Sequence, residues 1–298
     1  MKFGVFLPQR EIGHNPEDLF RFVRAVEDEG FDFLQATDHV LGADPAAHPG
    51  QDFAYDVHDL LHEQFVLFAY LAGTTNLEFV NGVLILTQRQ TALVAKQAAE
   101  VDILSGGRLR LGVGTGWNTV EYEALGVPFD DRGDRFEEQI HVLRKFWTEE
   151  AVTFEGAFHQ IHGAGILPRP ARSVPIWIGG GAGPNQRVLR RIGRLADGWL
   201  ASAPATEELA VKLKVVHEAA REAGRDEPPG LNLGTRVNHR DADMLRRELD
   251  AAQALGAGYF TIRADQPTDP EDKRHPRSVE WYLDMLHFAG GVIPEYRD

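Results

Sequence analysis

The spacing of apolar residues switches period repeatedly along this chain. KFGVFLP (2–8) is a short apolar run, whereas in PEDLFRFVRAVEDEG the residues Leu19, Phe22, Val23 and Val26 recur three and four apart. The first pattern predicts a strand and the second an amphipathic helix. Pro16 suits the first turn of that helix and Gly30 its C-terminal cap. The alternation continues with strands at FDFLQA (31–36), LEFVNGVLIL (77–86), RLRLGVGTG (108–116) and VPIWIGGG (174–181). Later strands are DGWLASA (197–203), LNLGTRVN (231–238) and AGYFTIRA (257–264). Between them lie helical patterns at 60–73, 91–107, 132–150, 184–196, 206–224 and 241–256, with a last one at 277–289.

Eight strands, each followed by a helix, predict an α/β fold: one (β/α)8 TIM barrel over residues 1–298. GVLIL and VPIWI are apolar on both parities, as strands of a parallel sheet covered by helices should be. Two connections are too long for simple loops: residues 41–59 after the second strand and 151–173 before the fifth. Insertions of that length usually serve as lids or binding elements. The first must emerge at the C-terminal face, where active sites of this fold sit.

Composition narrows the function. Lys plus Arg is 31 against 45 Asp plus Glu, a net charge of −14. That balance argues against nucleic acid and acidic membranes as partners. It leaves room for a small anionic ligand held by backbone N–H groups. With no cysteine in the chain, thiolate chemistry and disulfides are excluded. The N-terminus carries no signal-peptide pattern, and no apolar run reaches membrane-spanning length, so a soluble cytoplasmic protein is expected.

In a barrel the residues that close each strand form the mouth. Here they are Gln9 and Arg10, Asp38 and His39, Thr87 and Gln88, Thr115 to Asn118, and Gly179 to Gly181. The stretch QATDHV (35–40) ends a buried run in two polar residues. Neighbours on a strand point to opposite sides, so one of Asp38 and His39 should face the lumen and the other the rim. An imidazole there can give or take a proton; the plain alternative is a loop histidine capping backbone.

IGGGAGPNQRVLRR (178–191) ends a strand in three glycines and opens a helix, with Pro184 near its first turn. Bare N–H groups at Gly179, Gly180 and Gly181, together with the positive end of that helix, suit a phosphate. Arg187 or Arg190 would reach the phosphate, or both are solvated or ion-paired. GVGTG (112–116) lacks the spacing of a dinucleotide fingerprint. Gly112 fits a crowded barrel strand, while Thr115 and Gly116 at the mouth suit an anion. His58 and His62 fall one helical turn apart but have no third ligand, so no metal site is expected. No G-x-S-x-G elbow occurs.

Taken together, FGVFLP, GFDFLQATDHV, the block from Gly82 to Arg144, PIWIGGG and LADGWLAS resemble the bacterial luciferase-like flavin and deazaflavin oxidoreductases. The likeness covers nearly the whole chain and is weakest after about residue 205. It is nearest to the branch using coenzyme F-420. That resemblance implies a non-prolyl cis peptide at Gly82–Val83 behind the cofactor ring. It implies a phosphate at Gly179, Gly180 and Gly181, with Thr115 and Gly116 beside it. Asp38 would contact ring or substrate, and His39 would handle the substrate's proton during hydride transfer. It also implies a small-molecule substrate and a homodimer. An FMN-dependent monooxygenase, or a non-catalytic flavin-binding homologue, is the alternative.

Overall fold

The fold is that of a computed structural model, described over residues 1–180, 185–201, 203–237, 240–264 and 278–297. Gly181 and Pro184, with Ser202, Asn238 and Arg277 at predicted element ends, lie outside the described residues.

The barrel strands are β1 (Lys2–Phe6), β2 (Phe33–Ala36), β3 (Glu78–Asn81, continued at Leu84–Ile85), β4 (Leu109–Gly114), β5 (Ile176–Gly179), β6 (Gly198–Leu200), β7 (Gly230–Val237) and β8 (Tyr259–Ala264). The helices that follow them are α1 (Pro16–Asp28), α2 (Gln64–Ala72), α3 (Thr91–Leu104), α4 (Arg132–Thr148), α5 (Gln186–Leu195), α6 (Glu207–Glu222), α7 (Ala242–Ala254) and α8 (Val279–Gly290). Each strand pairs in parallel with its sequence neighbours, and β8 pairs with β1, so the sheet closes into a (β/α)8 barrel. Among the described residues no helix is long and apolar enough to cross a membrane.

Side-chain parity divides every strand into two faces. Phe3, Val5, Leu34, Phe79, Leu111, Val113, Ile176, Ile178, Leu233 and Ile262 point outward and join the large core beneath the helices. The inward residues differ in kind. At the N-terminal end, the Arg110 guanidinium lies 4.4, 5.0 and 4.2 Å from the ring centroids of Phe33, Trp177 and Tyr259. Its Nε is 2.8 Å from Glu78 Oε1. Two glycines make room for these rings. A Cβ on Gly4 would stand 2.0 Å from the Phe33 ring, and one on Gly198 would stand 2.2 Å from Trp177. The aromatic plug closes this end of the lumen. Above it comes a polar layer, in which Thr261 donates to Gln35 Oε1 (2.8 Å) and accepts from the Asn232 amide nitrogen (3.3 Å). The lumen is thus filled from below and open only at the mouth.

Three predicted elements need correction. The third strand is not continuous: it breaks at Gly82–Val83, whose peptide is cis. Residues 151–173 are not loop throughout. Val152–Glu155 and Gln160–Ala164 pair as an antiparallel hairpin, tied to α4 by His159 Nδ1 at 2.7 Å from Glu138. The helix expected from residue 60 starts only at Gln64, where Glu63 accepts from the Val66 N–H. His58 and His62 therefore share no helix face. The His62 N–H donates to Gln9 Oε1 at 3.0 Å, and its ring Nε2 lies 2.8 Å from the Gly13 carbonyl.

Candidate active site

Beyond β2 the parity continues for three residues: Thr37 lines the mouth, Asp38 turns away and His39 returns to it. Asp38 is buried behind the strand end. Arg89 reaches its two oxygens at 2.7 and 3.0 Å, and the Ile85 N–H donates to it at 3.1 Å. Burial pushes the Asp38 carboxyl up, opposed by the Arg89 guanidinium and the Ile85 N–H. This joins the end of β2 to the second part of β3.

His39 faces an open cavity of about 590 Å³, also walled by Phe6, Tyr55, Trp117, Arg236 and Arg263. A second cavity of about 570 Å³ shares Phe6, Thr37, Arg236 and Arg263 and reaches down to Gln35, Gly82 and Thr261. Both sizes lie in the range of roughly 300–1,000 Å³ typical of small-molecule sites. The His39 ring stacks on Tyr55 at 3.7 Å between centroids, and Trp117 meets it edge-on at 6.4 Å. Its Nδ1 is 3.2 Å from Glu121 Oε2.

Glu121 is fully buried on the short helix Thr119–Ala124, just past β4. The Val40 N–H (2.6 Å), Leu41 N–H (3.4 Å), Tyr55 hydroxyl (3.0 Å) and Gln88 amide (3.2 Å) also donate to it. Burial works to raise this carboxyl, but His39 and the other donors outweigh it and hold it below its ordinary value. Burial likewise raises the Tyr55 phenol, whose oxygen accepts from Asn118 Nδ2 at 2.8 Å. The long segment after β2 is therefore laid across the mouth. Arg10, whose Nε donates to Asp59 at 2.7 Å, fastens its far end.

The expected anion residues sit on two neighbouring strand ends. Val113 pairs with Ile178, which brings Gly114–Gly116 beside Gly179–Gly180. Gly116 and Gly180 both have positive φ, +66° and +113°. The Thr115 carbonyl accepts from Thr87 at 3.1 Å and from the Tyr122 hydroxyl at 2.5 Å. Val83 packs across this pair of ends: a Cβ on Gly179 would stand 2.5 Å from its Cγ1, and one on Gly114 would stand 2.7 Å from its Cγ2. Thr115, Gly116, Gly179 and Gly180 are not part of the described lining of either cavity, whereas His39 and Gly82 are. Nearby, α5 begins at Asn185, whose side chain accepts from the Arg187 N–H at 3.0 Å. Arg190 is ion-paired with Glu222 at 2.7 Å.

Sequence reasoning passed over Glu121, Tyr55, Arg236 and Arg263. In N-T-V-E, residues 118–121, Asn118 and Glu121 have the spacing of a helix capping box, which gives Glu121 a local job. Asn118 does cap, accepting from Val120 and Glu121 N–H. The Glu121 carboxylate instead crosses to the end of β2. Arg236 and Arg263 are paired in register on β7 and β8. Counting by two from Asn232 and Thr261 reaches them.

A family sequence profile described as luciferase-like monooxygenase matches residues 1–285. An F420-dependent glucose-6-phosphate dehydrogenase of Segniliparus rotundus is 30% identical over 223 residues, 71% of this chain and 61% of that protein. Aligned relatives at 41% identity are matched over 57% of their length, so the chain spans less than two thirds of several curated relatives. An F420-dependent secondary alcohol dehydrogenase, solved with an F420–acetone adduct, superposes with a TM-score of 0.76 at 18% identity, covering 100% of this chain and 99% of that one. A monooxygenase from Streptomyces bottropensis superposes with a TM-score of 0.75, also at 18% identity, covering all of both chains. At that identity the two structures speak for the fold.

Proposed function

The chain belongs to the luciferase-like monooxygenase family, and from that premise we propose that it is an oxidoreductase moving a hydride between coenzyme F-420 and a small organic substrate. The observation that carries this reading is His39: an imidazole on the wall of the mouth cavity, with Nδ1 engaged by Glu121 and Nε2 left for the cavity side. Among the described residues no hydrogen bond to that Nε2 occurs. Oxidising an alcohol requires a base for the hydroxyl proton; reducing a carbonyl or an activated double bond requires the matching acid.

We read the mouth as the seat of a flat, phosphate-bearing cofactor, with Gly82 on the wall of the second cavity. Bound F-420 would accept the hydride at C5 of its ring when an alcohol is oxidised and, in its reduced form, would supply it in the reverse direction. Gly82 and Val83 would back the ring, and Gly179, Gly180, Thr115 and Gly116 would take the phosphate. Asp38, locked to Arg89 and the Ile85 N–H, would keep the two parts of the mouth in register rather than move a proton. His39 Nε2 would take or return the substrate proton. Residues 41–59, held at Tyr55 and Asp59, would bound the substrate. The family homodimer belongs to the same proposal. Val66 and Tyr70, one turn apart on α2 and 67% and 56% exposed, offer apolar surface for it, and sedimentation equilibrium checks the stoichiometry.

The FMN-dependent monooxygenase reading is supported by the description of the family profile, by a pyrimidine monooxygenase 29% identical over 246 residues and by the almost equal structural likeness to a monooxygenase. Oxygen chemistry also needs a proton delivered, so the His39–Glu121 pair serves that reading as well, and cofactor preference separates the two. A non-catalytic flavin-binding protein would have no need of that pair. Steady-state turnover of alcohols, aldehydes and enones with F-420 tests the proposal. Turnover by the F-420-loaded protein supports it, and turnover only with FMN and oxygen overturns it.

Replacing Gly180 by valine is expected to weaken F-420 binding about tenfold or more, roughly 1.4 kcal/mol or above. A β-branched residue is strained at φ +113°, and Val188 lies 3.7 Å from the new Cβ. The dissociation constant read by tryptophan quenching checks it, with far-UV circular dichroism as the control for folding.

A further inference from the structure

We infer that Glu121 is a positioning residue for His39: by accepting the Nδ1 proton it selects the ring tautomer whose Nε2 faces the cavity as an acceptor. This rests on reading His39 as the proton-handling group. An ionised carboxylate only accepts hydrogen bonds. Glu121 Oε1 takes the Val40 and Leu41 N–H groups, while Oε2 takes Tyr55, Gln88 and the His39 Nδ1. The Tyr55 hydroxyl has no other direction for its proton, because Asn118 Nδ2 already donates to that oxygen. Every group facing the carboxylate is thus a donor, and His39 must be one too. The Tyr55 ring, stacked at 3.7 Å and inclined by 28°, fixes the plane of the imidazole.

The same carboxylate ties down residues 40, 41 and 55. The group that orients the proton acceptor therefore also seats the start of the segment bounding the substrate and Tyr55 within it. The pair is formed across 82 positions of sequence, from the ends of β2 and β4. It is a device of the barrel rather than of local sequence.

Glu121→Gln tests the assignment. The amide keeps the shape and one carbonyl for the Val40 and Leu41 N–H groups. Its NH2 then faces Nδ1 and forces the ring proton to Nε2. Loss of the carboxylate in a serine protease triad costs activity in the same way, through the wrong tautomer. Long-range proton–nitrogen spectra of protein labelled with 15N-histidine read the tautomer without cofactor or substrate, with His39→Asn identifying the signal. The expected result is Nδ1–H in the native protein, Nε2–H in Glu121→Gln, and Nδ1–H again in Glu121→Asp. The kcat should fall about 10²-fold in Glu121→Gln with KM for the cofactor unchanged. Nε2–H in the native protein overturns the inference, whether or not the glutamine variant folds, and so does a tautomer untouched by Glu121→Gln. Absence of F-420 turnover in the native protein would sink the functional reading while leaving the tautomer result standing.

Discussion

Replacing His39 by asparagine is expected to lower turnover by about 10²–10⁴-fold, the usual weight of general acid–base catalysis, with F-420 affinity nearly unchanged. The affinity should hold because the phosphate would sit on the ends of β4 and β5, while His39 stands at the end of β2. The fold should hold because Glu121 keeps its Val40, Leu41, Tyr55 and Gln88 donors when the imidazole is gone. The loss should appear in kcat rather than in cofactor binding, and added imidazole should restore part of it. Single-turnover oxidation or reduction of the bound cofactor reads the chemical step directly. A rate within threefold of the native protein would remove His39 from the mechanism and leave it as a loop histidine.

Gly112→Ala is expected to destabilise the protein by about 3 kcal/mol or more, at or beyond the upper end of ordinary overpacking. The new Cβ would stand 1.8 Å from the Asn81 carbonyl oxygen and 2.6 Å from a Leu200 methyl group. A leucine methyl can swing aside, but a backbone carbonyl in the neighbouring strand cannot do so without moving β3 away from β4. Asn81 also lies directly before the Gly82–Val83 pair, so any relief would distort the mouth. Chemical denaturation checks the magnitude. A variant as stable as the native protein would show that Gly112 relieves no crowding.

This glycine also shows what could be read from the sequence and why. Its run, GVGTG, has the look of a nucleotide motif but not the spacing, and Gly112 reads as a glycine of a crowded barrel strand. The carbonyl of Asn81, on the neighbouring strand, shows the crowding directly. The eight-fold alternation was legible because period reports burial, and burial on both sides of a strand leaves a distinct apolar run. Asp38 and His39 stood out as polar residues at the end of such a run, and alternation of side chains separated their directions. Asp38 went to Arg89 and His39 to the cavity.

What escaped was long-range pairing. Glu121 carries a local explanation in its capping spacing, and nothing in N-T-V-E points 82 residues back to His39. Tyr55 lies in a segment rich in Pro, Gly and Asp, where no periodicity places a side chain. The hairpin at 152–164 is also hidden, since its two strands are short and its second is Gly- and Ala-bearing. Its anchors on His159, Glu138 and Thr91, lie 21 and 68 positions back, on α4 and α3.

The most direct measurement is a titration of the purified protein with F-420 and, separately, with FMN, followed by quenching of its five tryptophans. Trp117 at the mouth and Trp199, which donates to the Gly180 carbonyl at 2.8 Å, lie close to where a cofactor would bind. Tight binding of F-420 with weak binding of FMN is the predicted result. The reverse preference would contradict it and place the protein among the flavin monooxygenases of the family.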